Sequence, residues 1–379
     1  MRFSGFTDEW VSYKIGDISK TYSGGTPSTS KREYYEGNIP FIKSGEIGNE
    51  VTEQYINEEA INNSSAKKVQ KGDLLLALYG ATSGEVAISK IDGAINQAVL
   101  KIDNKMNNYF QYDYFVKYKD QIIHKYLQGG QGNLSANIIK KLEFYYPNLE
   151  EQQKISNYLL LIDNKIELLE KKHHEYQNFK KYLMQQIFAQ KLRFDFDEIR
   201  LKSISKINKG KQLNKEHMLE LGKFYVLNGG QEPSGYTDSW NTSENTITIS
   251  EGGNSCGFVN FNTEKFWSGG HCYYLNKLSE NIDVYYLYSY LKFIEPQIMR
   301  LRVGSGLPNI QKGDIENIKI KILPKKEQIK ISNLLLSTDN KISSIESQKD
   351  SFEIFKKGLL QQMFVVQLIL SLLQNKKHI

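Results

Sequence analysis

The residues able to bind a metal or attack a substrate are few, and their densest grouping is His271 beside Cys272, with Cys256 sixteen positions earlier. Three ligands without a Cys-x-x-Cys or His-x-x-x-His pair fall short of a zinc set. No metal or other cofactor is therefore expected, and the two cysteines read as buried thiols of strands. The chain lacks the Gly-x-x-x-x-Gly-Lys-Ser/Thr loop that cradles nucleotide phosphates. None of its seven prolines adjoins another, which removes the Asn-Pro-Pro-aromatic loop an adenine methyltransferase would need. No catalytic set survives, so the chain reads as a non-enzyme whose chemistry is supplied in trans.

What remains are glycine-rich polar loops. In the first half they carry Gly24, Gly25 and Thr26; Lys43 and Ser44; Tyr79, Thr82 and Ser83; Asn96 and Gln97; Gln128 and Gln131. In the second half they carry Asn228 and Gln231; Ser250 and Asn254; Trp267 and His271; Arg300, Arg302 and Ser305. Glycine lets a backbone approach phosphates closely, and Asn or Gln can pair with an adenine edge in the major groove. Ordinary hairpin turns are the alternative reading of each. Arg300 and Arg302 are two of only six arginines and stand before a glycine turn, which suits guanine reading or phosphate clamping as well as a helix-end charge pair. The net charge of +6, carried mostly by lysine, and the 24 tyrosines fit a nucleic-acid partner without requiring one. No run of eighteen uncharged apolar residues is present, and the start, MRFSGFTDEW, has no signal-peptide plan, so a cytoplasmic protein is expected.

The frame that must position these loops is a duplication. EQQKISNYLLLIDNKIELLE at 151–170 matches EQIKISNLLLSTDNKISSIE at 327–346, an offset of 176, and KKYLMQQIF at 180–188 meets KKGLLQQMF at 356–364. Over 151–188 and 327–364 there are 20 identities in 38 ungapped positions. Each copy is a heptad-patterned helix. The first seam runs through Ile155, Leu159, Ile162, Ile166 and Leu169; the second includes Leu335, Ile342 and Ile345. Two such rods most economically pack on each other, antiparallel, with Leu159, Ile162, Ile166 and Leu169 facing Leu335, Ile342 and Ile345. Polar breaks at His173 and Lys180, matched by Lys349 and Lys356, mark places where the seam opens toward partners. Lys171, Lys172, Lys180 and Lys181 read as solvated or partner-facing surface.

Between the rods the copies agree in pattern only. GDLLLALYGATSGEVAI at 72–88 and NTITISEGGNSCGFVNF at 245–261 both have a hairpin plan, and helices are expected over 109–126 and 284–301. The order of variable domain, rod, variable domain, rod, with the twinned EQ-x-KIS-N and DNKI helices, resembles the specificity subunit of a type I restriction-modification enzyme over residues 10–364. That resemblance implies an α+β fold of two β-rich target recognition domains, at 1–150 and 193–325, in pseudo-twofold arrangement. Two long antiparallel coiled-coil helices, at 151–192 and 326–364, would separate them. It implies a bipartite target on double-stranded DNA, a helical ruler for the unspecified spacer, and docking of two modification and further restriction subunits. The alternative is a coiled-coil scaffold with two protein-binding adaptor domains. The tail 365–379 does not repeat the residues after Phe188, as a truncated or shifted reading frame would leave it.

Overall fold

The computed structural model describes residues 2–127, 133–189, 196–304 and 308–364. They form two compact units: residues 2–168 with 348–364, and residues 169–347. Both are α+β.

The two rods are single helices, Leu149–Phe188 and Lys325–Phe364. Neither contains proline, and Gly358 is the one glycine in the pair. Each helix starts on the same clamp. In the first unit the buried Gln152 donates to the carbonyl of Pro147 at 2.8 Å and accepts from the amide of Asn107 at 3.1 Å. In the second unit Gln328 donates to Leu323 O at 2.7 Å and accepts from the amide of Asp283 at 2.8 Å. The repeated glutamine thus satisfies backbone groups left open at a helix entry, and it ties the rod to the helix that precedes it in space.

Within each unit the two helices run antiparallel. In the first, Ile155, Leu159 and Ile162 share a core with Leu359, Leu360, Met363 and Phe364, and Ile166 packs against it with Phe352. Lys356 reaches both oxygens of Asp163 at 2.6 and 2.7 Å. In the second, Leu335 and Ile331 share a core with Ile187 and Phe188, bordered by Leu183 and Met184. Lys180 contacts Asp339 at 2.5 Å. Applying the offset of 176 turns Asp163 into Asp339 and Lys180 into Lys356, so the two ion pairs are copies of one another.

The structure departs from two expectations. Leu159, Ile162 and Ile166 do not take Leu335 as their facing residue, because antiparallel copies pair the start of one with the end of the other, and these residues all belong to the starts. Leu169 and Ile345 are buried in the second unit and Ile342 is half-buried. The breaks at Lys180 and Lys356 close the seam with salt bridges instead of opening it, and Lys180 is no solvated surface residue. His173 and Lys349 are half-buried.

One four-stranded sheet repeats strand for strand in the two units, while the sheet beside it has four strands in the first unit and three in the second. In the first unit the strands Ser19–Ser23, Val99–Asn104, Leu74–Ala77 and Val86–Ile88 form an antiparallel sheet in that order. In the second, Lys206–Lys209, Cys272–Asn276, Thr246–Ser250 and Val259–Asn262 do the same. Beside each lies a smaller sheet with one parallel pair: Ile39–Ile42 with Gly93–Ile95, and Phe224–Leu227 with Trp267–Ser268. Parallel strands leave the sheet at the same edge, so the loops after each pair emerge together. Both expected hairpins are present. The helix expected over 109–126 is Asn108–Leu127, whereas the one over 284–301 breaks at Ile294 into Val284–Phe293 and Glu295–Met299. Pro296 cannot donate to the preceding turn, and it sits in the first turn of the shorter helix.

The first seam has one group its copy lacks. Asp113 is buried next to Asp163 and Lys356, where the second unit has Ser289 at the matching position. Burial raises its carboxyl well above the usual aspartate range; Asp163 adds to the rise and Lys356 opposes it. The folded state therefore holds a proton that the unfolded chain releases above about pH 4, and stability of this unit falls as pH rises from there. Asp113→Asn is expected to flatten that fall, read as hydrogen-exchange protection of Asn108–Leu127 at pH 5 and pH 8; an equal loss in both proteins would acquit Asp113. Lys356→Met is expected to cost the same unit about 2 kcal/mol by chemical denaturation, less than a fully buried pair because Asp163 keeps water access. No loss would mean the pair does not hold the seam.

Candidate nucleic-acid interface

In the first unit the candidate loops meet around the exit of the parallel strands. The amide of Gly25 donates to Ile95 O, that of Asn96 to Ile42 O, and that of Leu78 to Ala98 O. Thr26 Oγ1 donates to Gln97 Oε1 at 2.5 Å, at the exposed rim. A Cβ on Gly24 would stand 1.9 Å from the carbonyl oxygen of Ile95, so this glycine serves backbone against backbone. Gly24 and Gly25 are buried and do not offer themselves to phosphate. Asn96 accepts from the amide of Ala98, and Ser83 donates to Leu78 O, so both stabilise turns. Lys43, Ser44, Tyr79 and Thr82 are half-buried.

The second unit gathers its loops on the same plan. A Cβ on Gly210, the counterpart of Gly24, would stand 2.2 Å from Gly269 O, and one on Gly229, at φ +84°, would meet His271 O at 2.5 Å. Asn228 Oδ1 accepts from the amide of His271 at 3.4 Å. Ser250 is buried and donates to Gly229 O, and Trp267 Nε1 donates to Lys211 O at 2.8 Å. Gly253 donates to Pro308 O, which brings the segment beyond Arg302 to the same cluster. Gln231, Asn254, His271, Arg300 and Arg302 stand exposed there. Gln128, Gln131 and Ser305 lie outside the described residues.

At the centre of this second cluster is a pairing that sequence reasoning missed. Glu251, almost wholly buried, accepts from Lys209 Nζ at 2.7 Å and from the Tyr273 hydroxyl at 3.0 Å, with His271 Nδ1 3.5 Å from its other oxygen. Burial, then Glu251 itself, pushes the Tyr273 hydroxyl far up, so it stays a donor. Lys209 lies 42 residues before Glu251, and no local pattern marks the pair. Cys256 donates to Glu251 O at 3.1 Å, and burial pushes the Cys272 thiol up to about 11, so both sulfurs are packing groups. Among the described residues no group of His, Cys, Asp or Glu could hold a metal, and no helix is long and apolar enough to cross a membrane.

Comparison with known proteins matches the family model for the type I restriction modification DNA specificity domain twice, at residues 7–177 and 194–353. The type I restriction enzyme MjaIX specificity subunit of Methanocaldococcus jannaschii is 26% identical over 401 aligned positions, covering 94% of this chain and 92% of the relative. The crystal structure of a type I restriction-modification S subunit from M. genitalium superposes with a TM-score of 0.74 at 19% identity, over 96% of this chain and 97% of that one. A chain from a structure on complex assembly and conformational transition of the type I system superposes with a TM-score of 0.55 at 15% identity, over 96% and 99%. Two matched domains over most of the length, on a frame whose loops gather twice in the same way, make the chain a member of the type I restriction-modification specificity subunits.

Proposed function

We propose that this specificity subunit reads a bipartite double-stranded DNA target, one half with each loop cluster, across a spacer whose bases it ignores. It carries no catalysis of its own. It directs two modification subunits, and the restriction subunits, to the site in the cytoplasm. The observation that carries this reading is one frame bearing two different sets of side chains. Gly24 and Gly210 make the same close approach, yet the rim holds Thr26 and Gln97 in one unit and Asn254, His271, Arg300 and Arg302 in the other. A duplicated frame with unlike rims is what two independent half-site readers need. The basic excess suits phosphate contacts, and the exposed amide and guanidinium groups suit adenine and guanine edges.

If the readers are independent, replacing 193–325 by the corresponding part of another specificity subunit changes one half of the selected target and leaves the other intact. Binding-site selection with the assembled methyltransferase measures this. Changes in both halves would reject independent reading, and enrichment of no sequence at all would favour a protein-binding scaffold. The rods, in this reading, set the spacer. Four residues inserted between Gln190 and Phe194, a junction outside the described residues, are expected to change spacer length and keep both half-sites, as methylome sequencing would record. Altered half-site bases with a constant spacer would overturn the ruler.

A further inference from the structure

The two loop clusters differ most sharply at one node. Strand pairing sets Ser23 opposite Leu100 in the first unit and Lys209 opposite Tyr273 in the second. The amide of Leu78 donates to Ala98 O, and the amide of Glu251 donates to His271 O. Leu78, Ala98, Leu100 and Ser23 therefore occupy the places of Glu251, His271, Tyr273 and Lys209. The first three are buried and apolar, so the frame itself asks for no charge at this node. A carboxylate with 6% of its side chain exposed is costly to place where leucine serves, unless what it holds is needed. What it holds is Lys209, whose side chain is 51% exposed, with His271 beside it at 64%.

We infer that Glu251 is a positioning residue for base recognition: it fixes Lys209 at the rim so that the ammonium's remaining hydrogens meet the two acceptors, O6 and N7, of a guanine in the second unit's half-site. This rests on the reading of that unit as a half-site reader. A free lysine goes to whichever phosphate is nearest, whereas one anchored at 2.7 Å to a buried carboxylate has a fixed direction. Tyr273 occupies the same carboxylate oxygen as Lys209, which limits how far the carboxylate can turn. The negative charge also penalises approach of a phosphate to this point, which favours a neutral base edge.

The test is binding-site selection from random DNA by the full chain assembled with its modification subunits. Wild type is compared with Glu251→Gln, with Lys209→Met, and with the double change Glu251→Leu/Lys209→Ser, which installs the first unit's pair and leaves the Tyr273 hydroxyl its second acceptor, Ile310 O at 3.4 Å. All three are expected to lose about tenfold discrimination for one guanine in one half-site, with the other half-site unchanged. Lys209→Arg is expected to keep a guanine preference. Unchanged base preferences in the double variant overturn the assignment. So does a uniform loss of affinity whose salt dependence falls by about one ion, which marks a phosphate contact. A wild type that selects one half-site only, belonging to the first unit, removes the reading on which the inference rests; a wild type that selects none removes both.

Discussion

The antiparallel closure of the two long helices is the constraint on which the rest depends. A helix of 40 residues with an apolar seam cannot stand alone in water, and most of its stability comes from what covers that seam. Here the start of each helix is covered by the end of the other, and the ion pair one copy makes is repeated by its twin. The sequence identity between the rods is explained by this reciprocity, because each must serve as both sides of the same joint. The variable parts answer to a weaker constraint. They need only enter one rod through Gln152 or Gln328 and deliver aromatic rings to the end of the other. Phe364 meets Phe110 and Tyr114, and Phe188 meets Tyr286 and Tyr290, on matching positions.

Reuse of one sheet plan under unlike sequences comes from where the plan is enforced. The parallel pair, the four-stranded sheet and the glycine that lets one loop pass against another are backbone features, and they persist while side chains diverge. Even the polarity of a buried node is free: Leu78 and Glu251 occupy the same place. Unit-specific chemistry is thus added at points the fold leaves undetermined.

Legibility in the sequence divides along the same line. The rods and the hairpins could be read because periodicity and internal identity are local signals, although the first helix ends at Phe188 and not at 192. Which rod residue faces which could not be read from the seam alone, since a heptad gives a face and not a register; Asp163 and Lys356 carry the register, and the lysine looked like a break. The structure brings the glycine loops of each unit together, but several of their residues serve the turns themselves. Gly24, Asn96 and Ser250 turn inward to hold loops together, while the pairing of Lys209 with Glu251 has no local signal, because the strands that carry them there meet only through the strand Cys272–Asn276. The sequence pattern suggests one helix over 284–301, whereas the chain carries Pro296 in the opening turn of a new helix.

The two units differ in how they are threaded. The second is one continuous stretch, residues 169–347, whereas the first is assembled from both ends of the chain. Its core includes Leu359, Met363 and Phe364, so on the ribosome the first unit to be translated is the last able to finish. At a synthesis rate of about 5–20 residues per second, Ile155, Leu159 and Ile162 wait roughly 10–40 seconds for their covering helix. During that interval a nascent chain presents an open seam, and a neighbouring chain on the same message carries an identical helix end able to fill it.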